Sequence, residues 1–260
     1  MNTGSLRGSA RLIGGLTVLT PLAMGVSFGL LALTFDYPSV MDQPAAEVLR
    51  KVHDAAGAVQ VYWVAVTLAA CALLAVSVAL PTVVAPERER GIGAMIAAAG
   101  GVAALMTIMD VGQWVWLYPD MAARWIRGDA ALRRVIEQDW SNYHQLLGVG
   151  IGRYLATLFS AIWAFGAGAL MLSDPRWPRV LGWAGIAAGI LFLVSALPGL
   201  SFDAWGALNT VGFVIWFVWL IGSGLLLAGI PRGSRTPPEP VQQQTDLSAR
   251  PEHLGHLPLP

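Results

Sequence analysis

Two charged residues stand where charge is costly. Asp110 and Arg153 each lie inside a long apolar run. An ionised side chain at such depth in a bilayer either pairs or lines a polar path. Asp110 falls about eight residues before Tyr118 and Arg153 about eight after Gln145. At about 1.5 Å per residue, both sit roughly 12 Å below one boundary of the membrane. The two runs are neighbours in sequence and antiparallel, which predicts an ion pair. Such a pair could line a cavity, relay a proton or hold a charged head group. It could equally fix the register of two helices, since breaking a buried pair is strongly destabilising.

Other polar residues gather at a similar depth. Gln60, Gln113, Tyr154 and Asn209 fall in four different runs, with Asp36, His53, Asn142 and His144 nearer the surface. Together they are expected to form an outward-facing polar vestibule, although positions near a membrane surface tolerate polar side chains in any case. His53 and His144, with Asp36 or Asp54, have the composition of a zinc site, and facing imidazoles are also what axial haem ligation needs. No His-x-x-x-His or Glu-x-x-His spacing supports either, so neither metal nor cofactor is expected. No Ser-His-Asp order, phosphate loop or dinucleotide fingerprint falls in a loop, so no catalytic residue is assigned. Cys71 is the single cysteine, set mid-run, and reads as a small buried hydrophobe.

The elements that must position these residues follow from composition. Hydrophobic residues make up 55% of the chain and charged ones only 12%, which points away from an ordinary soluble domain. Sixteen basic and sixteen acidic residues cancel, so nucleic-acid binding has no electrostatic basis. Six apolar runs, about 12–35, 58–80, 92–118, 145–172, 179–198 and 206–230, are each long enough to cross a hydrocarbon core. Helices satisfy their own backbone there, so the expected fold is all-α: a bundle of six transmembrane helices. The first run is too long for a signal h-region, contains Pro21 and ends in Asp36-Tyr37-Pro38, so it reads as a retained helix. Residues 1–11 are an N-terminal stretch, 12–230 the bundle, and 231–260 a Pro- and Gln-rich tail that cannot bury enough to fold alone.

Between the first two runs, Ala45, Val48, Leu49, Val52 and Ala56 recur at helical spacing behind Pro44, which predicts a short interfacial helix. Between the third and fourth, Gly128-Asp129 reads as a break and a new cap, with short outer helices on each side. Arg7, Arg11, Arg88, Arg90, Arg176, Arg179, Arg232 and Arg235 fall on one side, mostly in short segments. By the positive-inside rule both termini are expected to be cytoplasmic, in a multi-pass protein of the cell membrane. Tyr37, Tyr62, Trp63, Trp114, Trp116, Tyr118, Trp140, Tyr143 and Trp205 cluster toward the other side, as an aromatic belt would. The pairs Gly148/Gly152, Gly185/Gly189 and Ala94/Ala98 suit close helix packing or a dimer face.

Phe35-Asp36-Tyr37-Pro38, then Gln43-Pro44-Ala45-Ala46-Glu47-Val48-Leu49, Gly57 and Trp63 resemble the first half of a bacterial six-helix membrane family, domain of unknown function four-three-eight-six. Tyr143-His144 followed by Leu147-Gly148-Val149-Gly150-Ile151-Gly152 is similar to its fourth-helix stretch, and the resemblance spans roughly residues 10–230. It implies a multi-pass topology and transfers no catalytic residue. The expected function is therefore a non-enzymatic sensor, scaffold or partner subunit. A small-solute or lipid transporter using the vestibule is the alternative. The partners expected are the lipid bilayer and either a second copy or another membrane protein.

Overall fold

The computed structural model describes residues 3–55, 57–197 and 202–229. Among them are eight α-helices and no strand. They are α1 (Thr3–Phe35), α2 (Ala45–Asp54), α3 (Ala58–Val84), α4 (Arg90–Arg127), α5 (Ala130–Tyr143), α6 (Thr157–Ser173), α7 (Arg179–Ser195) and α8 (Phe202–Gly229). A π-helical segment, His144–Ala156, joins α5 to α6 without a break. Five stretches are long and apolar enough to cross a membrane: Ala10–Phe35, Ala58–Val84, Glu87–Arg127, Ala130–Ser173 and Gly206–Gly229. The remaining expected span, α7, is a shorter apolar helix of 17 residues, about 26 Å at a rise of about 1.5 Å per residue. The all-helical class stands, with five full-length spans and this shorter helix where six spans were expected. Pro198 and the tail 231–260 lie outside the described residues.

The boundaries depart from the sequence reading in three places. Helix α1 begins at Thr3 rather than near residue 12. Helix α4 does not stop at Tyr118 but runs 38 residues to Arg127, about 57 Å at about 1.5 Å per residue. And no loop separates Tyr143 from the fourth run, because α5 continues straight into it. In each case the chain keeps its backbone hydrogen-bonded within a helix, although the side chains turn polar. The break at Gly128-Asp129 is where the sequence places it. The Asp129 side chain accepts from Leu132 N at 2.9 Å and caps α5. Helix α2 is also present, burying Val48, Leu49 and Val52 and exposing Arg50, His53 and Asp54.

Prolines inside spanning helices leave a carbonyl without its i+4 donor. Two neighbouring helices supply that donor. Pro81 frees Ser77 O, and Trp163 Nε1 of α6 donates to it at 2.8 Å. Pro119 frees Val115 O, and Gln60 Nε2 of α3 donates to it at 2.5 Å. With no water in the hydrocarbon region, such partners are what make the prolines tolerable. Gly100 on α4 makes room for the Trp163 ring, since a Cβ there would overlap the indole.

Two cores hold the bundle. One centres on Trp163, Trp216, Trp219 and Phe192, between α3, α6, α7 and α8. There α6 and α7 cross closely: a Cβ on Gly168 would come within 2.6 Å of Gly182 O, and one on Gly189 within 2.7 Å of Phe165 N. The expected small-residue packing at Gly185 and Gly189 is thus internal, whereas Ala94 and Ala98 are exposed. The other core lies at the α2/α5 end. It contains Trp63, Trp114, Tyr118 and Trp140 at 4% exposure or less, so these four are not a lipid-facing belt. Their rings interlock instead, Trp63 stacked on Trp114 at 4.8 Å and Tyr118 edge-on to Trp114 at 4.7 Å. Among the belt residues whose side chains are described, Trp116 and Tyr143 face outward, at 60% and 43% exposure.

Candidate functional site: a cavity inside the helix bundle

Between α1, α4, the π segment and α8 lies a cavity of about 130 Å³. Its charged floor is Asp110, three residues before Gln113 on α4. Gln113 Nε2 donates to Asp110 Oδ1 at 3.1 Å, a hydrogen bond from a neutral amide on the same helix face. The carboxylate reaches across to the π segment because Gly152 has no side chain there. A Cβ on Gly152 would overlap all three carboxyl atoms.

The π segment forms one wall with Gly148, Val149, Gly152, Arg153 and Ala156, and His144 stands at its first turn. A run of 13 residues in this widened helix is unusual, since most π-helix occurs as single turns, frequently at functional sites. His144 is 9% exposed, stacks flat on Trp140 at 4.9 Å and has no partner on Nδ1. Gly148 lets that ring lie along the helix, because a Cβ would approach Nδ1 to 2.9 Å. From α8, Asn209 and Trp216 face the cavity, and Asn209 Oδ1 and Trp216 Nε1 are likewise enclosed without hydrogen-bond partners.

The roof is the connection after α1. Tyr37, Pro38 and Met41 line the cavity. The Tyr37–Pro38 peptide is cis, and Asp36 adopts φ 56°, a left-handed conformation that few residues other than glycine accept. Lys51 Nζ holds Asp36 Oδ2 at 2.9 Å and so ties this connection to α2. Tyr37 stacks on Phe28 at 5.7 Å and meets the Trp63 edge at 5.2 Å. Desolvation among these rings, with the Asp110 charge nearby, pushes the Tyr37 hydroxyl well above its ordinary value.

The structure thus brings together four of the ten residues singled out from sequence for the ion pair and vestibule: Asp110, Arg153, His144 and Asn209 all line this cavity. Gln113 serves it through Asp110. The expected direct ion pair is not formed. Among the described residues Asp110 accepts from Gln113 and joins no ion pair, while the Arg153 guanidinium carbon lies 5.6 Å from the Tyr154 ring centroid. Equal depth puts both on one cavity, but the Gly152 niche turns the carboxylate toward the π-helix backbone. The remaining vestibule residues go elsewhere. Gln60 is committed to Val115 O, Asp36 to Lys51, and His53 is exposed on α2. Tyr154 lies beside Arg153 rather than on the cavity wall. His53 and His144 therefore do not converge, and among the described residues no three His, Cys, Asp or Glu side chains cluster as metal ligands do. Sequence reasoning missed Tyr37 and Trp216. Tyr37 carried a signal, its place in the Asp36-Tyr37-Pro38 turn directly after an apolar run, but it was absorbed into the belt reading.

All-helical architecture with several membrane-length apolar helices, enclosing a cavity floored by a carboxylate, defines the class: a multi-pass helical membrane protein with an internal cavity. The chain belongs to the family described as Domain of unknown function (DUF4386), which matches residues 12–224. The resemblance read from the residues is met. No curated protein and no solved structure matches the chain.

Proposed function

We propose that the chain is a non-enzymatic, ligand-binding protein of the cell membrane, a sensor or partner subunit whose bundle cavity takes a small molecule. One observation carries this reading. The cavity is roomy, and three of its lining residues carry enclosed polar atoms, His144 Nδ1, Asn209 Oδ1 and Trp216 Nε1, with no partner among the described residues. Buried polar atoms left without partners are costly, and a bound molecule supplies what the fold does not. The short basic connections support an orientation with both termini in the cytoplasm and the α2/α5 end outside. On that orientation the roof formed by Tyr37 and Met41 faces the exterior.

A transporter is the second reading, and the π segment favours it. Transport sites are built where regular helices are interrupted at membrane depth, and the interruption here forms a wall of the cavity. Native mass spectrometry of the full chain released from nanodiscs tests the binding reading. A co-purifying small mass on the wild type, lost in Asn209→Ala, supports it. A protein that carries no such mass, and gains none from a metabolite panel, sinks it. Uptake of the identified species into proteoliposomes separates transporter from sensor.

A further inference from the structure

The chemistry of the cavity wall narrows the ligand. We infer that this site, on the binding reading it rests on, selects a small organic ammonium cation with an apolar body, its N–H groups directed at Asp110. Three observations converge on that class.

The first is charge. Asp110 is a carboxylate at membrane depth whose only hydrogen bond is the single one from the neutral Gln113 amide. One oxygen is served and Oδ2 has no donor among the described residues. Carboxylates at such depth are matched by a cation or several donors, and among the described residues neither is bonded to this one. Arg153 is on the same wall, but its guanidinium stands over the Tyr154 ring.

The second is the polarity of the unfilled hydrogen-bonding atoms. Asn209 Oδ1 accepts, as does His144 Nδ1 in the neutral tautomer protonated on Nε2. With Asp110 Oδ2 they give the lining residues three acceptors, beside the indole donor Trp216 Nε1, and three acceptors call for a ligand with several N–H donors.

The third is the character of the rest of the wall. Phe28 and Tyr37 on one side, Phe213 and Trp216 on the other, and Met24 and Met41 surround the acceptors. Aromatic faces attract cations through their quadrupoles, and thioethers adapt to irregular apolar shapes. A polyol or a bare inorganic cation uses the acceptors and wastes these faces. An amine on an aryl or short alkyl body uses both.

The test compares three probes that share a phenylethyl body on the full chain in nanodiscs. These are 2-phenylethylamine, the neutral 2-phenylethanol and the anionic 3-phenylpropanoate, each followed by tryptophan fluorescence and by thermal stabilisation. The expected result is saturable binding of the amine, at least tenfold tighter than the alcohol, with no binding of the acid. Asp110→Asn should abolish the preference for the amine. Gln113→Leu, which leaves the carboxylate in place but removes its neutral partner, should retain it, so the comparison survives if the Asp110 variant fails to fold. Equal binding of amine and alcohol, or tighter binding of the acid, overturns the cation inference while leaving a cavity that binds small molecules. Failure of all three probes to bind also overturns it, and the co-purified mass then decides the broader reading separately.

Discussion

Replacing Trp163 with Phe removes one N–H donor and leaves most of the ring's space filled. That N–H meets Ser77 O at 2.8 Å, and Ser77 is 2% exposed. An interhelical side-chain hydrogen bond in a membrane averages only about 0.6 kcal/mol, because the separated helices find other partners. The Ser77 carbonyl has no such alternative, since Pro81 brings no N–H to it. A buried acceptor left without a donor costs about 1–3 kcal/mol, and it is this penalty that decides the outcome. The smaller ring adds a packing loss of about 1–2 kcal/mol, because the indole sits in the Gly100 niche and against Trp219 at 5.3 Å. W163F is therefore expected to destabilise by about 2–5 kcal/mol. In a Pro81→Ala background the backbone N–H of residue 81 serves Ser77 O again, and only the packing part should remain. The two substitutions then couple by about 1–3 kcal/mol, measurable as reversible unfolding of the four proteins in mixed micelles. If W163F costs the same in both backgrounds to within about 0.5 kcal/mol, the carbonyl was never dependent on the indole and the reasoning fails.

Two further outcomes are expected. Gly152→Ala places a methyl group on the Asp110 carboxyl, so it should cost about 1–3 kcal/mol in thermal unfolding; an unchanged melting temperature would show that the niche is not occupied as described. At the opposite end of the bundle, Asp174 is 5% exposed and accepts from Arg176 N and Nε at 3.0 Å each, and these bonds hold its carboxyl below the ordinary value. Its folded pKa lies under its unfolded one, so the stabilisation is complete above about pH 4 and is lost as pH falls through the folded value. The effect is modest because the Arg176 side chain is 64% exposed and screened by water. Asp174→Asn should flatten the acid limb of an unfolding-versus-pH curve; a limb of unchanged slope would contradict the assignment.

The apolar runs made the helical class legible, because length and continuity of hydrophobicity are what a bilayer requires. The Asp129 cap and the amphipathic α2 were legible for a related reason: each depends on residues close together along one helix. What hid the rest was information carried between elements. Trp63, Trp114, Tyr118 and Trp140 have belt composition, and only tertiary packing turns them inward to 4% exposure or less. The ends of α4 and the junction at Tyr143 were missed because polar side chains do not stop a helix whose backbone remains satisfied. Depth alone put Asp110 and Arg153 on one cavity, but rotation about the helix axis decided that Asp110 would meet Gly152 and Gln113 instead. The π segment carries no periodic signature of its own; Gly148 and Gly152 were read as a packing stripe, and their actual work is to admit a His ring and a carboxyl group.

The bond from Trp163 to Ser77 spans 86 residues of sequence, which fixes an order of events during synthesis. At about 5–20 residues per second, the ribosome adds the donor about 4–17 seconds after the acceptor. For that interval α3 holds a carbonyl that nothing made so far in its own helix can serve. The Pro81 end of α3 must therefore stay in contact with water or a chaperoning groove until α6 is made. The arrival of a single indole marks the moment at which the first half of the bundle is free to leave that shelter for lipid.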